Sequence, residues 1–344
     1  MKLLVLVQAV LILVVSVSPV SVARFPDLEE PTAVVIDRNQ VFITDGVTIY
    51  IYSLQDFKLQ KKFGKSGPEA QEFKPYEYPN LPIYIDVLPN RIMVESFGSI
   101  SYFTRKGNFM ELIQPRDYFM LAKPVGENFV ASRYTRRNNT WYFCLDLYNS
   151  RLKKCKELVR LKDNRQHRQR QKLLSRARTY CTSGNRLFIA VEKDFIIDVF
   201  DHRGEKLYSI DKEYEKIKVT KAYIESRLEN AKKIYRGRPV AYEYFKMSAL
   251  FPDYFPAIAH LCAEDGVLYV RTWKREKEKT EFYLFDMTGK FIKKILLPLA
   301  QRNAAEYYPS TFHQKRLYQL VKDRDKKIWE LHESIVHRIE IGKE

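Results

Sequence analysis

Short apolar runs rich in β-branched and aromatic residues recur along this chain: VFITD, TIYIYS, RIMV, RLFI, VLYV and RLYQLV. Each is bounded by Gly, Asn, Asp or Pro, which is the pattern of strands joined by tight turns. Three segments align without gaps: FTRKGNFMELI from Phe103, FDHRGEKLYSI from Phe200 and FDMTGKFIKKI from Phe285. Each carries Phe, then Gly four residues on (Gly107, Gly204, Gly289), then Ile six further on (Ile113, Ile210, Ile295). The spacing predicts a strand, a turn whose glycine supplies a positive φ, and a returning strand. A second hairpin precedes each copy, through PNRIMV from Pro89, GNRLFI from Gly184 and DGVLYV from Asp265. Two hairpins in series form a four-stranded antiparallel sheet, and a repeated sheet of this kind is a propeller blade.

Fainter copies fill the gaps: residues 33–63 for blade one, 119–159 for blade three with Asn149-Ser150 as its outer turn, and 311–341 for blade six. The expectation is an all-β, six-bladed β-propeller over residues 24–344, against an alternative of unrelated hairpins in a β-sandwich. Residues 212–250 break the pattern. There Ile224, Leu228, Ala231 and Tyr235 share one helical face, with Thr220 as N-cap and Gly237 as terminator. This predicts a helical insertion between blades four and five.

Residues 1–23 read differently from the rest. Lys2 is their only charge, and an apolar run follows, interrupted by Gln8 and Ser16 and ending at Pro19 and Ser21-Val22-Ala23. A basic start, an apolar stretch and a small-residue end describe a secretory signal peptide cut after Ala23. The run is short for a bilayer span, although retention as an anchor is the alternative. The expected location is periplasmic or secreted.

FGKSGPEAQEFKP, from Phe63 to Pro75, resembles the linker between blades of NHL-type propellers, in which Phe-Gly, a glycine-rich stretch and Glu-Phe near a Pro lead to the next blade. Here Pro68, Glu69, Ala70 and Gln71 stand where more glycine is usual. FPDYFPAIAHLCAEDGVLYV, from Phe251, resembles the start of a late blade in the exported bacterial six-bladed β-propeller family. The resemblance implies a fold and an export route, and no reaction.

Four cysteines in an exported chain invite disulfides. If Asn149-Ser150 is a two-residue turn, Cys144 and Cys155 oppose one another on neighbouring strands and form a bridge; otherwise they are small buried hydrophobes. Cys181 and Cys262 take matching places on the inner strands of blades four and five. A metal site combining them with His260 is conceivable, but the spacing is not that of a zinc motif and core packing is the expectation. Aligned inner strands place Val35, Asp86, Lys123, Cys181, Cys262 and Thr311 in one ring, with one carboxylate and no histidine. His167, His202, His313, His332 and His337 fall on a linker, turns or outer strands. No catalytic, metal or cofactor motif occurs, so no cofactor is expected.

A net charge of +17 favours an anionic partner. In a propeller, the loops joining strands two and three of a blade share a face with the connections between blades. Arg133, Arg136 and Arg137 take that place in blade three, and Lys274, Arg275, Lys277 and Lys279 in blade five. Lys322, Arg324, Lys326 and Lys327 do so in blade six. The connection from blade three to four adds Arg165, Arg168, Arg170 and Lys172. Charged loops that merely keep a β protein soluble are the plain alternative. The chain is thus expected to be a monomeric binding or scaffolding module. Its basic face would meet a protein, an anionic envelope surface or a glycan, with peripheral membrane contact included and nucleic acid disfavoured by location. A channel-centred metal-dependent hydrolase or lyase is the second reading. Asn138-Asn139-Thr140 also fits a glycosylation sequon, relevant only in a host that glycosylates.

Overall fold

The computed structural model describes residues 19–73, 83–96, 98–115, 118–163, 171–172, 174, 179–190 and 194–336. Six four-stranded antiparallel sheets form a ring, as expected. Their inner strands are Pro31–Asp37, Tyr84–Val87, Met120–Val125, Tyr180–Ser183, His260–Glu264 and Ser310–His313. Each contacts the next, and the sixth contacts the first.

Six hydrophobic clusters lie in the six gaps between neighbouring blades. The second strand of a blade serves two of them. Val41 and Ile43 pack towards blade six while Phe42 packs towards blade two. Ile92 and Val94 face blade one, and Met93 faces blade three. Leu268 and Val270 face blade four, whereas Val267 and Tyr269 face blade six. Successive side chains on a strand point to opposite faces, so a sheet covered on both sides needs an unbroken apolar run. Runs such as VFI, IMV and VLYV meet that need.

The aligned outer turns share one construction. Thr104, Asp201 and Asp286 each bond the backbone residue four places on (Asn108, Glu205 and Lys290), and the glycine N–H bonds back to the turn's first carbonyl. Asp201 Oδ1 accepts from the N–H groups of Arg203 and Glu205, and Asp286 Oδ1 from those of Thr288 and Lys290. The glycine is required twice over. Its φ is +76° at Gly107, and a Cβ there would stand 2.7 Å from the Phe63 ring of the preceding blade. Between blades one and two, the FGKSGPEAQEFKP segment folds back on itself. Phe73 N–H bonds Lys65 O at 2.9 Å and its ring is buried in the intervening core; Pro75 lies outside the described residues.

Blade three uses the same turn without glycine, and this corrects the cysteine pairing. Asn149 N–H bonds Lys153 O, Leu152 N–H bonds Asn149 O, and Leu152 takes the left-handed place with φ +56°. The turn is therefore longer than Asn149-Ser150, and the ladder shifts register beside it. Cys144 stands opposite Arg160, not Cys155. Cys144 is buried, Cys155 is exposed at the shift, and all four cysteines are free thiols.

The insertion follows blade four as predicted, as two helices. Helix α1 (Lys221–Ile234) starts at Thr220, whose Oγ1 accepts from Tyr223 N–H at 3.2 Å. Gly237, at φ +81°, separates it from α2 (Pro239–Ser248), where a proline at the first helical position restarts the helix. Helix α1 is anchored by Tyr223, which meets Phe255 and Trp273 edge-on while those two rings stack at 4.2 Å. Residues 212–219 are not helical. Lys172 lies in a two-residue strand paired in parallel with Ala249–Leu250, which ties the basic connection to the end of α2.

Blade six departs from expectation in its fourth strand. Residues 337–341 lie outside the described residues, and the outermost strand is Val20–Phe25, antiparallel to Ile328–Ile335. Phe25 is 1% exposed and packs among Tyr52, Trp329 and Leu331, and Arg24 Nε bonds Glu330 Oε1 at 2.9 Å. The first strand of the chain thus closes the ring. Ala23, the expected end of the signal peptide, lies inside this strand opposite Leu331.

Phe25→Ala is expected to lower stability by about 3–5 kcal/mol, read from urea unfolding, because it empties a packed site at the ring's closure. Under non-reducing conditions, Cys155 should react with a thiol reagent in the native protein, and unfolding should then expose the remaining thiols. Cys155→Ser should leave the melting temperature unchanged.

Candidate functional site: the channel and the connection-side face

The ring of inner-strand positions expected from the sequence is present. Val35, Asp86, Lys123, Cys181, Cys262 and Thr311 pair in turn with Phe42, Met93, Val130, Phe188, Tyr269 and Tyr318 on the second strands. At this level Lys123 Nζ bonds both Asp86 oxygens, at 2.8 and 3.1 Å. Burial opposes the Lys123 charge, but Asp86 outweighs it and holds the ammonium above its ordinary value. Burial pushes the Cys181 and Cys262 thiols upward, leaving both protonated and unreactive at neutral pH. Among the described residues, no group of three or more His, Cys, Asp and Glu is placed to hold a metal ion.

The two ends of the channel differ in charge. Towards the hairpin-turn face the inner strands carry Asp37, Glu264 and His313. Arg105 meets Asp37 at 2.7 Å, and the buried His313 lies 3.8 Å from Glu264. Burial, then Asp265 and Asp37, push Glu264 up to about 7. Towards the connection face lie Ala33, His260 and Pro309, at or beside the starts of their inner strands. These border a cavity of about 310 Å³ with Arg271, Trp273 and Tyr307. His260 is exposed to the channel, and its enclosure by the surrounding blades, then Arg271 and Lys123, disfavour its charged form. Arg271, its cross-strand partner, lies 4.2 Å over the Tyr307 ring. A ligand at the connection end therefore meets the Arg271 guanidinium, whereas the turn end carries Glu264 and the Arg105-paired Asp37.

The predicted basic residues divide by partner. Arg133 is a strand residue paired with the buried Asp146, which also takes Lys154 at 2.9 Å. Lys274 meets Glu215 at 3.3 Å. In blade six, Lys322 pairs with Glu30 and Lys326 with Asp323. Arg136 and Arg137 stand exposed at the end of Asn128–Arg137, and Arg136 bonds Asn139 at 3.1 Å. Lys277 is exposed at the blade-five turn beside Lys279. Arg275 lies 5.7 Å over Tyr307, with Nη1 buried and unpaired. Arg165, Arg168 and Arg170 lie outside the described residues. Blade four separates the blade-three and blade-five loops.

Arg271 was missed from sequence because the strand was taken to end at Val270. Alternation continued past Tyr269 places Arg271 on the face towards blade six, and that was the available signal. Glu95 was also missed. It is fully buried on the second strand of blade two, where Oε2 accepts from Ala122 N–H at 2.9 Å and Oε1 has no hydrogen-bond partner among the described residues.

Among solved structures, the chain is similar to a protein of Bacteroides fragilis NCTC 9343 provisionally described as exported. The TM-score is 0.56 and the identity 11%, over 92% of this chain and 94% of that one. At that identity the likeness is one of fold. A TM-score of 0.33 and 10% identity relate 87% of the chain to 71% of BamB from Moraxella catarrhalis. No protein-family model matches the sequence, and no curated protein does.

Burial pushes Glu95 up to about 7, against the lowering effects of the Ala122 N–H and Lys123. A carboxyl raised on folding binds its proton more tightly in the native state. Its contribution is fullest below the unfolded value near 4.5 and declines as pH rises towards 7. A rise from 4.5 to about 7 corresponds to about 3 kcal/mol. Glu95→Gln, which removes this titration, should gain stability relative to wild type as pH increases from 5 to 8, a trend that paired melting curves would reveal.

Proposed function

We propose that this chain is an exported propeller that presents its connection-side face to an anionic envelope partner, as a binding or scaffolding module. The observation carrying this reading is that, on this face, Arg136 and Arg137 of blade three, Lys277 of blade five and Lys327 of blade six are exposed cations without a carboxylate partner among the described residues. Long-range attraction follows net charge, and only cations not already neutralised within the protein are available to a partner. The helical insertion supplies apolar surface beside this face, including Val240, 83% exposed, and Met247, 72% exposed.

Export rests on the apolar segment that precedes Val20. A cut after Ala23 would leave Arg24 and Phe25 as the remnant of the closing strand, so the closed ring favours a boundary upstream of Val20. No helix among the described residues is long and apolar enough to cross a membrane.

Retention on phosphatidylglycerol vesicles or an acidic polysaccharide resin tests the face. Binding should weaken steeply between about 0.05 and 0.5 M salt, as screening shortens the reach of the charges. The combined variant Arg136→Gln, Arg137→Gln, Lys277→Gln, Lys279→Gln should lose most retention while keeping its melting temperature. Retention unchanged in that variant, or insensitive to salt, rejects the reading.

A further inference from the structure

The cations around the channel are almost all answered within the protein. Lys123 is paired with Asp86, Lys274 with Glu215, and Arg105 with Asp37. Arg271 has no carboxylate partner among the described residues. Its Nε is buried without an acceptor, and the indole Nε1 of Trp273 beside it is buried without one too. The Tyr307 ring lies under the guanidinium at 4.2 Å. A half-buried cation gains from a counter-charge, and a ring face supplies only part of one. Burial lowers the basicity of this guanidinium, yet arginine remains a cation at neutral pH.

We propose that the cavity at the connection-side mouth binds a monocarboxylate with a flat apolar body, ion-paired to Arg271 and seated against Tyr307, Trp273 and Tyr308. The planar fork of arginine matches a carboxylate through two parallel hydrogen bonds. The aromatic side chains line the same cavity of about 310 Å³, which is small for a ligand site and holds one compact molecule. Arg271 is the one guanidinium among the residues lining the cavity, which fits a single negative charge better than a phosphate dianion; Arg275 lies over the same Tyr307 ring but outside that lining. The cavity also lies at the cationic end of the channel, opposite Asp37 and Glu264, so the field along the axis orients an anion towards it. Such a carboxylate comes either from a free organic acid or from the free C-terminus of a peptide.

This inference concerns the same face as the proposed function but stands on a different residue, so the two fail separately. Benzoate and its neutral isostere benzamide are the probes, measured by calorimetry and thermal shift on the full chain. Benzoate should bind and raise the melting temperature, benzamide should not, and inorganic phosphate should bind less well than benzoate. Arg271→Gln should weaken benzoate at least about tenfold, and Arg271→Lys less. Arg271→Gln should retain vesicle binding, and the loop variant should retain benzoate binding. Should Arg271→Gln fail to fold, phenylglyoxal labelling of the wild-type protein replaces it: benzoate should protect Arg271 in the peptide map. A short peptide ending in Phe, with its C-terminus free or amidated, separates the two sources. Preference for the free form over benzoate assigns a peptide terminus, and preference for benzoate assigns a small acid. Equal response to benzoate and benzamide, or absence of protection at Arg271, overturns the proposal.

Discussion

The backbone ladder between Val20–Phe25 and Ile328–Ile335 is the constraint on which the remaining structure depends. Every other blade strand pairs within its own blade's short stretch of chain, whereas this pairing joins Val20–Phe25 to a strand some three hundred residues away. Without it the sixth blade lacks an outer strand, and Phe25 no longer fills the gap beside Tyr52 and Trp329. The inner strands of blades six and one are held side by side by a core that Phe25 shares with Val34, Ile36, Val41, Tyr318 and Leu320. The channel between them, with Ala33 on one side and Pro309 on the other, inherits its width from the closure. An open end would also expose an unpaired strand edge, a surface that invites association with another chain.

Closure also explains why buried charge collects where it does. Blades converge at the axis, so inner strands bury residues that would be solvated on a single sheet. Lys123 and Asp86 answer one another across neighbouring blades, while Glu95 is left with one oxygen unpartnered. The result is a channel whose connection-side end is cationic and whose turn-side end carries Asp37 and Glu264. Arg271 stands at the first of these ends, with the aromatic cluster of Tyr223, Phe255 and Trp273 fixing the helical insertion beside it.

Much of the architecture was legible because it repeats. The Phe-Gly-Ile hairpins fixed the outer turns, and alignment of the inner strands picked out a ring whose members each pair with the residue seven places on in all six blades. The error at Cys144 and Cys155 has a specific cause. Tyr148 and Leu152 occupy the Phe and Gly places of the repeat, but without glycine the turn went unrecognised and a two-residue turn was substituted. Thr220 and Gly237 marked the bounds of α1 correctly, whereas its anchor, Tyr223, stands on a part of the helix that the apolar stripe did not include.

The sequence alone determined what is local and periodic: which runs are strands, where turns need glycine, and that a repeated four-stranded unit must bury both of its faces. These follow from backbone geometry and side-chain alternation, which act over a few residues. Only the tertiary structure decided which cations are already paired, because Arg133 meets Asp146 and Lys274 meets Glu215, while Arg271 meets no carboxylate among the described residues, through contacts that composition does not encode. It likewise decided that the outer strand of the last blade comes from the first strand of the chain. A strand's own pattern specifies that it must pair, and the closing of the ring specifies with which partner.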